Sequence, residues 1–124
     1  SRSLRMILQT VTPASVLGTT VLFALFLSVT AHLAARNVLG DVDPRRALYV
    51  GPLPAVIGVV GGAFALPESL IVMAALAVDG LMFAWSYDQP RRLVVGMTLI
   101  HAVVTTLLCI VLLGVAVLLA ARPG

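Results

Sequence analysis

Four long apolar runs, separated by short polar stretches, dominate the pattern of residues along the chain. They cover residues 14–35, 47–66, 67–87 and 93–121. A helix needs about 20 apolar residues to cross a hydrocarbon core roughly 30 Å thick. In lipid its backbone groups must be satisfied within the segment, and the period-two alternation of barrel strands is missing. The pattern therefore predicts one all-α domain over residues 1–124, a polytopic membrane protein with four transmembrane helices in an antiparallel up-and-down bundle.

Turn-forming residues mark the breaks between these runs. Residues 37–46 include Gly40 and Pro44, and Pro90 ends the third run, because proline disfavours a helical conformation in the residue before it. Helices two and three are joined more tightly, with Pro67 at the start of the third helix. The segment Gly51-Pro52-Leu53-Pro54 is expected to kink the first turns of helix two, and a re-entrant segment is the alternative there.

The composition supports a membrane environment and argues against a nucleic-acid partner. The 124 residues are 60% hydrophobic and 10% charged, against roughly 25% charged in soluble domains. The net charge of +3 comes from arginines that lie singly or in pairs between apolar runs, and the chain has no lysine. Such spacing gives no basic face for nucleic acid. The expected partners are the lipid bilayer and either further copies of the chain or a larger membrane complex.

The arginines also predict the orientation of the bundle. The loops after helices one and three carry more of them than the opposite side, which has Arg2, Arg5 and Arg122, or Arg122 alone if the natural chain starts at Met6. The positive-inside rule then predicts a multi-pass protein of the cell (plasma) membrane, with loops 36–46 and 88–92 in the cytoplasm and both termini outside. The arginines that give this signal are Arg36, Arg45, Arg46, Arg91 and Arg92.

Three ionisable residues lie inside the predicted spans: His32, Asp79 and His101. Such residues are costly in hydrocarbon and usually face protein or water, with a partner. Asp79 lies as far before Pro90 as His101 lies after it, so the two share nearly the same depth in the hairpin of helices three and four. We therefore expect Asp79 and His101 to interact, directly or through a water.

Small and hydroxylated residues extend this interpretation to a polar cluster. On helix four, His101 falls on one stripe with Thr98, Thr105 and Cys109, since their spacing is three or four residues. On helix one, His32 falls on a similar stripe with Thr20, Ala24 and Ser28. Residues of these types favour close helix contacts in membranes. The predicted intramembrane cluster is Asp79, His101, Thr98, Thr105 and His32.

Helix two carries a Gly-x-x-x-Gly spacing at Gly58 and Gly62. Two glycines one turn apart let helix backbones approach closely. We expect them to pack within the chain, and a dimer face is the alternative.

The functional interpretation follows from what the chain contains and lacks. No nucleophile motif, phosphate-binding glycine loop or pair of catalytic carboxylates is present, and the loops are too short for a soluble catalytic domain. These observations predict a non-enzymatic membrane component, accessory or self-associating, with no metal and no cofactor. The first alternative is a small proton-coupled transporter or channel that uses Asp79 and His101. The second is a haem-binding subunit with His32 and His101 as axial ligands.

The chain as a whole resembles small four-helix membrane proteins of uncharacterised function from halophilic archaea. The segments that carry the resemblance are residues 31–40 (AHLAARNVLG), 51–54 (GPLP) and 98–101 (TLIH). The resemblance implies no activity. It implies structural roles for Asn37 and Gly40, as a helix end with glycine at the stop.

Overall fold

The computed structural model describes residues 12–123, and these are helical for most of their length. The elements are α1 (Pro13–Leu39), a 3-10 helix (Pro44–Tyr49), α2 (Pro52–Ala63), α3 (Glu68–Tyr87) and α4 (Arg91–Ala121), with no strand in this range. The all-α prediction is confirmed. Arg2, Arg5 and the alternative start at Met6 lie outside the described residues.

Both ends of α1 are set by local sequence. At its start, Thr12 and Ser15 form a reciprocal capping box, in which the backbone N–H of Ser15 donates to Thr12 Oγ1 at 3.0 Å. At its end, Gly40 adopts φ +86° and its N–H donates to the Arg36 carbonyl at 2.9 Å. Glycine reaches this φ without a steric penalty, so Gly40 stops the helix as the resemblance implied. Because α1 continues to Leu39, Arg36 is helical, not part of a loop as predicted.

Helix two differs from the continuous helix predicted over residues 47–66. The chain forms the 3-10 helix first, breaks at Val50 and Gly51, and then forms the twelve residues of α2. Proline has no N–H to donate to the preceding turn, so Pro52 and Pro54 are tolerated only in the first turn of a new helix. The expected kink is therefore a full break, and α2 also ends earlier than predicted.

Consecutive helices pack against each other in opposite directions, and α4 returns to pack against α1. Between α1 and α2, Ser28 lies beside Gly51 and Phe23 beside Gly58, as antiparallel helices require. Between α3 and α4, Asp79 contacts His101. The four helices thus form a ring around a shared interior.

The core is concentrated at the end of the bundle that carries the arginine-bearing loops. Its buried residues include Ala31, Val50, Phe83 and Met97. From Val103 onward α4 behaves differently, because most of its large hydrophobic side chains are about half to three-quarters exposed: Val103, Leu107, Ile110, Val111, Leu112, Leu113, Val115, Val117, Leu118 and Leu119. Four helical segments, with the 3-10 helix and α2 counted as one, are long and apolar enough to cross a membrane.

Candidate functional site

A buried hydrogen-bond network centred on His101 joins α1, α3 and α4. His101 Nδ1 lies 2.5 Å from Asp79 Oδ2, and His101 Nε2 lies 3.0 Å from the Leu27 carbonyl oxygen and 2.8 Å from Thr30 Oγ1. Asp79 and His101 are each 3% exposed. The contact expected from their equal depth is therefore present, and it is direct.

The acceptors around His101 determine where its protons lie. A carbonyl oxygen only accepts, so the 3.0 Å approach of Nε2 to the Leu27 carbonyl favours a proton on Nε2. A second proton must lie between Nδ1 and Asp79 Oδ2, because two bare acceptors would repel at 2.5 Å. The Asp79–His101 pair thus holds two protons and has no net charge, which is the favourable state for a pair removed from water.

Two threonines complete the network. Thr105 Oγ1 donates to Thr30 Oγ1 at 2.9 Å, and Thr30 Oγ1 lies 3.0 Å from the Leu27 carbonyl, to which it donates. Thr105 was predicted, whereas Thr30 was not. Its signal in the sequence is a second stripe on α1, with Leu27, Thr30, Ala31 and Ala34 at helical spacing, all buried.

Thr98 and His32, both predicted in the cluster, lie outside it. Thr98 Oγ1 donates to the Val94 carbonyl of its own helix at 2.8 Å and faces Gly80. His32 lines a separate groove of about 260 Å³ with Pro44, Arg45 and other residues. Residues two positions apart in an α-helix point in directions that differ by about 200°. His32 therefore points away from α4, because Thr30 points toward it.

The stripe predicted on α1 has another neighbour. Ser28 Oγ donates to the Ala24 carbonyl at 2.7 Å, and both residues border Gly51. This face of α1 therefore packs on the start of α2, not on the network.

The glycine contacts differ from the predicted Gly58 and Gly62 pair. A Cβ at Gly58 would lie 3.1 Å from Phe23 of α1, whereas a Cβ at Gly62 would meet nothing within 4 Å. The close approach to α3 is at Gly61, where a Cβ would lie 2.7 Å from Ile71. The tightest position is Gly51, which the spacing motif did not include. Packing within the chain uses Gly51, Gly58 and Gly61, and Gly62 is open.

Besides Arg36, the arginines used as topology signals have different surroundings. Arg46 donates from a guanidinium nitrogen to the Ser86 carbonyl, and Ser86 Oγ donates back to the Arg46 carbonyl at 2.7 Å. Arg46 therefore also fastens the 3-10 helix to α3. Arg45 forms an exposed ion pair with Asp43, N to O 3.3 Å. Arg91 and Arg92 lie in the first turn of α4, where a positive charge opposes the helix dipole.

The network is closed on one side and open on the other. Toward the arginine-bearing loops, Phe83 is fully buried and its ring meets His101 edge-on at 5.5 Å. On the other side lies a cavity of about 290 Å³ with walls from all four helices, including Phe23, Pro54 and Ala75. Asp79 and His101 line it, and Asp79 Oδ1 is buried with no hydrogen-bond partner.

A family comparison covers nearly the same residues as the described fold. Residues 10–123 match the model of the family of unknown function DUF7473. The chain belongs to that family. No curated protein and no solved structure matches it.

In this DUF7473 protein, the surroundings of His101 fit an axial haem ligand poorly. An axial histidine must offer a free ring nitrogen to the iron, and both nitrogens of His101 already face oxygen atoms of the chain. The His32 and His101 hypothesis therefore loses one of its two ligands. Within residues 12–123, no three His, Cys, Asp or Glu side chains are grouped as a metal ion would need.

Proposed function

We propose that this chain spans the membrane four times and serves there as a non-enzymatic component that associates with further copies of itself. One observation carries the proposal: the most apolar stretch of α4 has no buried residue. A soluble monomer rarely exposes contiguous apolar patches larger than a few hundred Å². The network around His101 then has a structural role, since its hydrogen bonds fix the register of α1, α3 and α4.

The proposed orientation places the arginine-bearing loops in the cytoplasm and both termini outside. Its support is the arginine distribution together with the exposed Tyr49 and Trp85, whose rings meet at 5.6 Å at the same end of the bundle. Aromatic side chains of this kind are enriched at membrane interfaces.

Cysteine labelling tests this orientation. In a Cys109→Ala background, we expect an impermeant maleimide to label Arg122→Cys in intact cells and to label Asp41→Cys only after lysis. Both positions are exposed, so a difference in labelling reports the side of the membrane. The reverse pattern would contradict the proposed orientation.

The length and exposure of α4 support the proposed self-association. Its 31 residues extend about 46 Å at 1.5 Å per residue, beyond a hydrocarbon core of roughly 30 Å. After extraction in mild detergent, we expect light scattering or native mass spectrometry to give a multiple of the 13.0 kDa chain. A stable monomer would contradict self-association and leave the membrane placement intact.

Proton-coupled transport is the second candidate function, and the unpaired Asp79 Oδ1 beside the cavity favours it. A carboxylate and an imidazole at the base of a cavity can exchange protons with an occupant. Phe83 argues against a continuous channel, because it closes the network toward the arginine-bearing loops. Proton flux into liposomes that survives both Asp79→Asn and His101→Ala would remove this candidate.

A further inference from the structure

We infer that the cavity between the four helices binds a small organic ammonium ion, and that Asp79 receives its N–H group while the Asp79–His101 pair releases one proton. The inference does not depend on the self-association proposed above. It deepens the second candidate function, because it names the class of occupant.

The cavity combines apolar walls with one buried acid. Besides Asp79, His101 and the two hydroxyl-bearing residues Thr105 and Thr106, its lining is apolar. The hydroxyl groups are engaged, since Thr105 donates to Thr30 and Thr106 to the Ala102 carbonyl at 2.8 Å. Asp79 lines the cavity, and its Oδ1 is a buried acceptor without a hydrogen-bond partner, because Oδ2 already pairs with His101.

The unpaired acceptor Asp79 Oδ1 indicates which chemical groups the occupant should carry. A buried carboxylate oxygen gains most from a charged N–H donor, and the apolar walls gain from a hydrocarbon body. About 290 Å³ suits a small molecule at the lower end of ligand pockets. These features together favour an alkyl- or cycloalkylammonium ion.

Charge balance then requires the loss of one proton. The pair is neutral with two protons, so a monocation added to it would leave a buried net charge, which is costly. Release of the Nε2 proton leaves Asp79 as a carboxylate, Nδ1–H donating to it, and a net charge of −1 for the ammonium ion to neutralise. No other ionisable side chain among the described residues lines the cavity.

Thr30 allows the proton to leave without creating an unpaired nitrogen. Its hydroxyl lies 3.0 Å from the Leu27 carbonyl and 2.8 Å from His101 Nε2. When Nε2 carries a proton, the hydroxyl donates to Leu27. When Nε2 has lost it, the same hydroxyl rotates and donates to Nε2, which then accepts.

Calorimetry on the full chain in lipid nanodiscs tests the inference with cyclohexylammonium and its uncharged analogue cyclohexanol. We expect cyclohexylammonium to bind with release of one proton, measured in buffers of different ionisation enthalpy. Its affinity should rise about tenfold per pH unit while the pair starts protonated. Cyclohexanol should bind at least tenfold more weakly. The ¹⁵N signal of His101 Nε2 should move from the protonated to the unprotonated range on binding.

Matched variants separate this site from adsorption to lipid. Ala75→Leu fills the cavity and removes no polar group, and it should abolish binding, whereas Ala77→Leu, which lies in a different groove between α3 and α4, should not. Asp79→Asn should also abolish binding and Asp88→Asn should not. Equal binding of cyclohexanol, binding that survives Ala75→Leu, or no binding at any pH would overturn the inference. Binding without proton flux would support it and remove only the transport candidate.

Discussion

Replacing His101 with leucine is expected to destabilise the bundle by about 3–5 kcal/mol, the cost of removing one partner from a buried pair. Leucine leaves Asp79 with neither carboxylate oxygen paired and leaves the Leu27 carbonyl without its imidazole donor. Unfolding by a denaturing detergent, titrated into protein held in a mild one, measures the loss. Asp79 and His101 are each only 3% exposed, so the effect should be among the largest of any single substitution in this chain.

Two controls separate the pair from general sensitivity of α4. Thr98→Val should cost less than about 1 kcal/mol, because Thr98 bonds only to its own helix. The double change of Asp79→Leu with His101→Leu should recover most of the loss, since an apolar pair needs no partner. If the double variant were as unstable as the sum of its single variants, the pair would not be coupled as the geometry requires.

Gly51→Ala is expected to separate α1 from α2. A Cβ there would lie 2.5 Å from the Ser28 backbone nitrogen and 2.7 Å from the Ala24 carbonyl oxygen, and neither backbone atom can move by rotating a side chain. Overpacking of this kind costs about 1–3 kcal/mol and sometimes more. We expect a loss at or above the upper end, measured by the same detergent titration.

The matched control is the same substitution at Gly62, where the added methyl group meets nothing within 4 Å. Alanine is favoured over glycine inside a helix by roughly 0.5–1 kcal/mol, so Gly62→Ala should be neutral or slightly stabilising. Equal losses at the two positions would mean that α1 and α2 do not approach at Gly51 as described. A dimer that dissociates on Gly62→Ala would restore the Gly-x-x-x-Gly face as an interface.

Much of the fold was predictable because it depends on properties that can be read directly along the sequence. Run length and hydropathy determine how many helices can form, and prolines and glycines determine where they stop. The break before α2 was underestimated because the residues between Pro44 and Pro54 are apolar enough for one helix. Only the backbone geometry of two closely spaced prolines excludes a continuous hydrogen-bond ladder there.

The candidate site was likewise predictable in part from the sequence, and the rest of it depended on tertiary packing. By itself the sequence determined that Asp79 and His101 share a depth, because rise per residue and a short hairpin are enough to calculate it. The tertiary structure decided which face of α1 meets them, so that Thr30 and the Leu27 carbonyl joined the network and His32 did not. It also decided that Gly51 and Gly61, not Gly62, allow close approach. The physical reason is that a helix with a nearly uniform apolar surface does not indicate in its sequence which face turns inward. Its rotation about its own axis is fixed only by packing against the neighbouring helices.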